Sequence, residues 1–130
     1  MSSSQNRKGC SMNDNARKWV EVLRSGDFKQ GYGYLRKDDR YCCLGVACEV
    51  YRREHPNGPQ WFGYYFDHRD DELPKRVQRW LGLRSSTGWR SNGPSLVSLN
   101  DRHRLSFSEI ADYIESEPPG LFTERKTKNA

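Results

Sequence analysis

The sequence predicts one small α+β domain, in which three or four short helices pack on a β-hairpin or a small antiparallel sheet. A chain of 130 residues is long enough for one domain and short for two. Helical periodicity recurs in several segments, and short apolar runs bounded by turn residues lie between them. Aromatic residues make up 12% of the chain, which supplies a core although only 34% of residues are hydrophobic.

The first helix is predicted to run to about Ser25. Asn13 or Asp14 can cap its N-terminus through a side-chain oxygen. Gly26 supplies the left-handed residue that ends it. Its apolar stripe, at spacing i, i+3 and i+4, consists of Trp19, Val22 and Leu23.

A β-hairpin and a second helix are predicted next. Residues 31–35 and 41–44 form two short apolar runs around a charged turn at 36–40, the pattern of a hairpin. From Leu44 the apolar period lengthens to that of a helix. The Pro-Asn-Gly-Pro run at 56–59 ends this helix.

An aromatic segment and a third helix follow. Residues 60–66 are the densest aromatic stretch, and they suit either a strand or an ordered loop. The third helix is predicted from about Pro74, which fits its first turn, to Leu81. Residues 84–95, rich in Ser, Gly and Asn, form the longest internal loop.

The C-terminal part carries the clearest helix signal. Residues 95–99 form a short apolar element, and the pattern leaves open whether it is a strand or a helical turn. Ser106 and Glu109 form a capping box, and Pro118 stops the helix that follows. Its buried stripe is predicted to contain Phe107, Ile110, Ala111 and Ile114.

The charge lies mainly in the two ends of the chain. The net charge is +5, but residues 13–123 carry only +1 of it. We therefore expect a single domain over 13–120, with a disordered tail at 1–12 and a disordered basic tail at 121–130. Such tails favour weak, salt-sensitive contact with nucleic acid. The sequence has neither a long apolar run nor a secretory signal, so we expect no membrane contact and a cytoplasmic location in the host cell.

The cysteines are predicted to pack in the core. On a strand, Cys42 and Cys43 face opposite sides and do not converge on one metal. The chain lacks a Cys-x-x-Cys pair, and its three histidines lack ligand spacing. We therefore expect no metal and no cofactor, with a metal or redox role as the alternative. The four cysteines are Cys10, Cys42, Cys43 and Cys48.

No combination of residues in the sequence is typical of a catalytic site, so we predict that the protein is not an enzyme. Gly31-x-Gly33 lacks the rest of a dinucleotide or P-loop motif and favours close strand packing. Asp67-His68 and Asp101-x-His103 each combine a carboxylate with an imidazole, but no nucleophile accompanies them. Asp38-Asp39 is typical of a hairpin turn.

Aromatic and basic residues lie together in the predicted hairpin and in the loop at 84–95, and the aromatic residues of 60–66 lie between these two segments. Aromatic faces stack on bases, and Arg or Lys binds phosphates. If the ligand is a nucleotide, we expect it to contact Tyr32, Arg36, Trp89 and Arg90. The alternative is that the aromatic residues serve the core.

The Tyr-Cys-Cys-Leu-Gly-Val core at 41–46, together with a second stretch within 99–111, resembles a family of small uncharacterised proteins that phages and prophages carry. The core at 41–46 is the more specific of the two, and the resemblance covers roughly residues 13–116. The chain departs from the family pattern at Ala47, at Glu49 and at the basic run 102–104. Other residues that carry the resemblance are Trp19, Leu23, Gly26, Gly31, Gly33, Leu35, Cys48, Leu99, Asn100, Asp101, Leu105 and Glu109.

The resemblance implies an accessory protein that acts by binding. We expect it to inhibit or sequester a host factor, with a host protein or a small nucleotide signal as the ligand, in the manner of a counter-defence protein. The alternative is an accessory protein that binds nucleic acid through its basic tails and its aromatic and arginine surface.

Overall fold

The computed structural model describes residues 12–123, which fold into five helices and two small sheets. The predicted α+β class is confirmed, with one helix more than the three or four expected. The helices are α1 (Asp14–Ser25), α2 (Cys43–Glu54), α3 (Lys75–Leu81), α4 (Leu96–Asp101) and α5 (Phe107–Glu115). The strands are β1 (Lys29–Gln30), β2 (Arg36–Lys37), β3 (Arg40–Tyr41), β4 (Trp61–Phe62) and β5 (Tyr65–Phe66).

Helix α1 is capped at both ends by the residues its sequence offers. The Asn13 side chain accepts a hydrogen bond from the Ala16 amide at 2.8 Å, and Gly26 closes the helix at φ 80°. Trp19 is fully buried, and its indole N–H donates to the Cys43 carbonyl at 2.9 Å. This bond fixes α1 against the start of α2.

Helix α2 begins earlier than predicted, and the strand expected over 41–44 ends at Tyr41. The expectation that Cys42 and Cys43 lie on a strand is therefore wrong. Cys42 is the N-cap, with its sulfur accepting from the Gly45 amide, and Cys43 is the first helical residue. The first turn of α2 also packs closely on Leu35, since a Cβ on Gly45 would lie 1.7 Å from the Leu35 carbonyl oxygen. Only glycine allows the first turn of α2 to pack this closely on the backbone.

The first sheet has the order β1-β3-β2 and is mixed, not purely antiparallel. Strands β2 and β3 form a hairpin, and β1 pairs parallel to β3. The expectation of a strand over 31–35 is wrong: residues 32–35 form bends, and β2 lies within the predicted turn. The turn is shorter than the expected 36–40 and consists of Asp38 and Asp39. Both have positive φ (52° and 66°), as a two-residue type I′ turn requires.

Residues 60–66, predicted as a strand or a loop, form a second hairpin of β4 and β5. Gly63 has φ 63° at the first turn position, as in a type II′ turn. A further tight turn follows at Asp67 and His68, across which Phe66 and Arg69 exchange both backbone hydrogen bonds. The chain therefore reverses twice within nine residues (61–69).

The remaining helices pack on α1 and α2. The short element at 95–99 is helical, because Ser95 accepts from the Ser98 amide and caps α4. Pro74 precedes α3 as its N-cap residue. The capping box of Ser106 and Glu109 on α5 is confirmed. None of the described helices is long and apolar enough to cross a membrane.

The packed domain extends beyond the predicted limits of 13 and 120. Met12, Leu121 and Phe122 are all buried. The Arg84 amide donates to the Leu121 carbonyl at 3.0 Å, which anchors the end of the domain beside α3. Residues 1–11, including Cys10, and residues 124–130 of the predicted tails lie outside the described residues.

Candidate binding surface

Four aromatic side chains form a continuous surface across the two hairpins, here called the aromatic strip: Tyr34, Phe62, Tyr64 and Tyr65. Phe62 and Tyr65 are cross-strand partners, so both side chains lie on the same face of the β4–β5 hairpin. Phe62 is 83% exposed, Tyr65 45% and Tyr64 41%. Such exposure of neighbouring aromatics is unusual for a folded domain and is typical of a contact surface.

Ring contacts order the strip. The ring centroid of Tyr64 lies 5.0 Å from that of Tyr34 and 6.1 Å from that of Tyr65. The rings of Tyr64 and Tyr65 are nearly parallel, with an angle of 15° between their planes. The Lys37 ammonium lies 5.0 Å from the Tyr34 centroid and 5.8 Å from the Tyr64 centroid. The two hairpins therefore present one surface, with a cation at its side.

Arg36 holds the hairpins together beneath the strip. Its guanidinium carbon lies 4.6 Å above the Trp61 ring, and its Nη2 donates to the Gly63 carbonyl at 3.0 Å. We predicted Arg36 as a ligand contact, but these interactions make it a bridge from β2 to the β4–β5 turn.

The buried carboxylate of Glu49 fixes Trp61 from the side of the core. It accepts from the Trp61 indole N–H at 2.9 Å and from Arg52 and Arg53. Burial alone would raise the pKa of Glu49, but these hydrogen bonds outweigh it and lower the pKa to about 2. Sequence reasoning noted Glu49 only as a departure from a pattern. Its two arginines at i+3 and i+4 were the signal of a helical ion pair.

A groove of about 440 Å³, here called the basic groove, lies beside the strip. Its lining includes Tyr32, Tyr34, Lys37, Asp38 and Arg40. Lys37 and Arg40 are directly opposite each other in the β2–β3 register, so both cations lie on one face of that hairpin.

Asn100, buried at the end of α4, holds the floor of the basic groove. Its Nδ2 donates to the Gly31 carbonyl at 2.9 Å, and its Oδ1 accepts from the Cys43 amide and the Gln30 side chain. The adjacent Asp101 carboxylate accepts from the Gly33 amide at 3.1 Å. Asn100 therefore joins β1, α2 and α4, a role that no local pattern in the sequence indicates.

Most of the chain matches a known protein family. A family model described as a domain of unknown function, DUF8296, matches residues 12–118. The chain belongs to this family. The matched range contains the aromatic strip, the basic groove and Asn100. Neither the curated proteins nor the solved structures gave a match.

The DUF8296 fold places the four predicted ligand residues in separate contacts. The Arg104 guanidinium carbon lies 4.0 Å above the Tyr32 ring, and Arg36 packs on Trp61. Arg90 lies 5.3 Å from the ring centroid of Tyr113. Trp89 and Arg90 are neighbours in the chain, but within residues 12–123 we observe no hydrogen bond or ring contact that joins them to Tyr32 or Arg36.

The carboxylates of the two carboxylate–imidazole combinations, Asp67-His68 and Asp101-x-His103, are bound by other residues of the fold. The Asp67 carboxylate forms an ion pair with Arg76 at 2.9 Å, and Asp67 and His68 form the tight turn after β5. The Asp101 carboxylate accepts from Gly33 and from Asn100. A second groove of about 440 Å³ passes Phe62, Tyr65 and His68.

The thiols of the DUF8296 domain are buried among apolar groups. Burial raises the pKa of Cys42 to about 12 and raises the pKa values of Cys43 and Cys48. At neutral pH all three are therefore neutral thiols that serve as core residues, as the sequence predicts. In the described part of the chain, no cluster of three or more His, Cys, Asp or Glu side chains is arranged to bind a metal.

Proposed function

We propose that this DUF8296 protein acts by binding, as a phage or prophage accessory protein that inhibits or sequesters a host factor. The observation that carries the proposal is the aromatic strip, above all the 83% exposed Phe62. Large exposed aromatics are the side chains that most often anchor binding partners. The resemblance of the 41–46 core to small phage proteins supports the phage context.

The support beneath the strip favours a contact surface. Arg36 and Glu49 hold Trp61 from two sides, and Trp61 lies on the face of the β4–β5 hairpin opposite Phe62. A surface that is already ordered loses little conformational entropy when a partner binds.

The test compares Phe62→Ser with Trp89→Ser. Trp89 is a matched control because it is an aromatic residue with 49% exposure that lies outside the strip. Each tagged full-length variant is expressed in host cells, and co-purifying proteins and metabolites are quantified by mass spectrometry. We expect a partner that wild type and Trp89→Ser retain and Phe62→Ser loses. Equal retention by all three proteins contradicts the proposal.

A second candidate function is binding of single-stranded nucleic acid. The specific observation that favours it is the nearly parallel pair of Tyr64 and Tyr65, with Lys37 beside Tyr64. It predicts an affinity for single-stranded DNA that falls steeply with salt, and a smaller salt slope when residues 1–11 and 124–130 are removed. Fluorescence anisotropy across a salt series measures both. Absent or salt-insensitive binding rules this function out.

A further inference from the structure

We infer that the basic groove binds a nucleoside phosphate, with the base on Tyr32 and Tyr34 and the phosphate on Lys37 and Arg40. The source is either a free nucleotide or a single strand, since both present this group. The inference deepens the proposed function and rests on it in part, because Tyr34 and Lys37 border both the groove and the strip.

The two cations point to an anion. The register of the β2–β3 hairpin sets Lys37 directly opposite Arg40, and like charges in that position destabilise a strand pair. Within residues 12–123 neither side chain forms an ion pair with a carboxylate. Asp38 also lines the groove, which leaves these three groups with a net charge of +1. A phosphate between Lys37 and Arg40 relieves their repulsion.

The aromatic side chains point to a base. Tyr32 is 40% exposed, and Arg104 covers one face of its ring at 4.0 Å. A base that enters the groove stacks on the other face. Tyr34 lines the same groove with Lys37 beside its ring. The volume of about 440 Å³ is in the range of small-molecule sites.

The backbone beneath Tyr32 is held in place before any ligand arrives. Asn100 binds the Gly31 carbonyl, and Asp101 binds the Gly33 amide, so both neighbours of Tyr32 are fixed. A Cβ on Gly31 would lie 2.7 Å from the Arg40 Cβ, so glycine allows β1 to approach β3 at the groove. This pre-organisation reduces the entropy lost on binding.

The experiment is an NMR titration of the ¹⁵N-labelled full chain. The probes are the four ribonucleoside monophosphates, inorganic phosphate, adenosine and a short oligothymidylate. The amides of Gly31, Gly33 and Lys37 report on the groove, and the amide of Gly120 is the reference. We expect saturable shifts at the groove with at least one monophosphate, and binding about tenfold weaker for its phosphate or nucleoside alone.

Variants test the two halves of the groove. Tyr32→Ala and, independently, Lys37→Gln are expected to weaken binding about tenfold or more, because the first removes the stacking face for the base and the second removes a cation for the phosphate. Asn92→Ala leaves this affinity unchanged because Asn92 is exposed and does not line the groove. Similar tight binding of a monophosphate and the oligonucleotide identifies a free nucleotide as a sufficient ligand. Binding of the oligonucleotide alone, lost in Tyr32→Ala, identifies a single strand.

Two results overturn the inference. One is inorganic phosphate binding as tightly as every monophosphate, which shows an anion contact without base recognition. The other is the absence of groove shifts with every nucleotide and oligonucleotide probe at about 1 mM. The proposed function is tested separately by the co-purification experiment, and it stands if Phe62→Ser loses a partner that wild type retains. A failure of the groove inference can therefore be distinguished from a failure of the proposed function.

Discussion

Asn100 provides the most direct test of how the fold supports the basic groove. Its side chain is fully buried and makes four hydrogen bonds. Asn100→Ala removes the partners of the Gly31 carbonyl and the Cys43 amide, both in buried residues. A buried polar group without a partner costs about 1–3 kcal/mol. Two such groups predict a loss of about 2–6 kcal/mol in the free energy of unfolding.

The assay is equilibrium unfolding in urea, followed by tryptophan fluorescence and circular dichroism. Asn92→Ala is the matched control because Asn92 is exposed, and its change is expected to stay within about 0.5 kcal/mol. Asn100→Asp keeps the acceptor for Cys43 but loses the donor to Gly31 and places a second carboxylate beside Asp101. We expect it to destabilise the protein as well. A loss below about 1 kcal/mol in Asn100→Ala, with an unchanged m-value, would refute this account of the network.

Three further predictions concern the core. Gly45→Ala should destabilise the protein by about 1–3 kcal/mol or more in urea unfolding, because the Cβ of the alanine would clash with the Leu35 carbonyl. An unchanged urea midpoint would contradict the close approach of Gly45 to Leu35. The pKa of Glu49 falls to about 2 on folding, from about 4.3 in an unfolded chain. Its stabilisation, at most about 3 kcal/mol, is therefore complete above about pH 5 and is lost as the pH falls towards 2. The difference in unfolding free energy between wild type and Glu49→Gln should shrink over that range, and a constant difference argues against the shift. In a Cys10→Ser background, native protein at about pH 8 should react with a thiol reagent far more slowly than urea-unfolded protein, and equal rates contradict the burial of Cys42, Cys43 and Cys48.

The sequence predicts the elements whose signals are local. The caps at Asn13, Gly26 and Ser106 act within three or four residues of the bonds they make, so they can be recognised without the fold. Asp38-Asp39 was likewise recognisable as a turn, since aspartate tolerates positive φ.

The predictions that were wrong concern residues whose secondary structure or burial depends on contacts with other parts of the chain. Cys42 and Cys43 were predicted on a strand, but Cys42 caps a helix that begins at residue 43 and packs its Gly45 against Leu35. Met12 and Phe122 lie next to polar tails in the sequence, yet the core buries both.

The candidate site was only partly predictable for the same reason. Tyr32 lines the basic groove, and the guanidinium of Arg36 is engaged with Trp61; whether either contacts a ligand stays a prediction. Asn100 has partners about 57–70 residues away, which no window of sequence can show.

The measurement that tests the central claim most directly is site-specific photo-cross-linking in host cells. A photoreactive phenylalanine analogue is placed at Phe62 in one protein and at Trp89 in another, since both positions are exposed aromatics. We predict a discrete adduct from position 62 and none from position 89. An adduct from position 89 alone, or equal adducts from both positions, would contradict the assignment of binding to the aromatic strip.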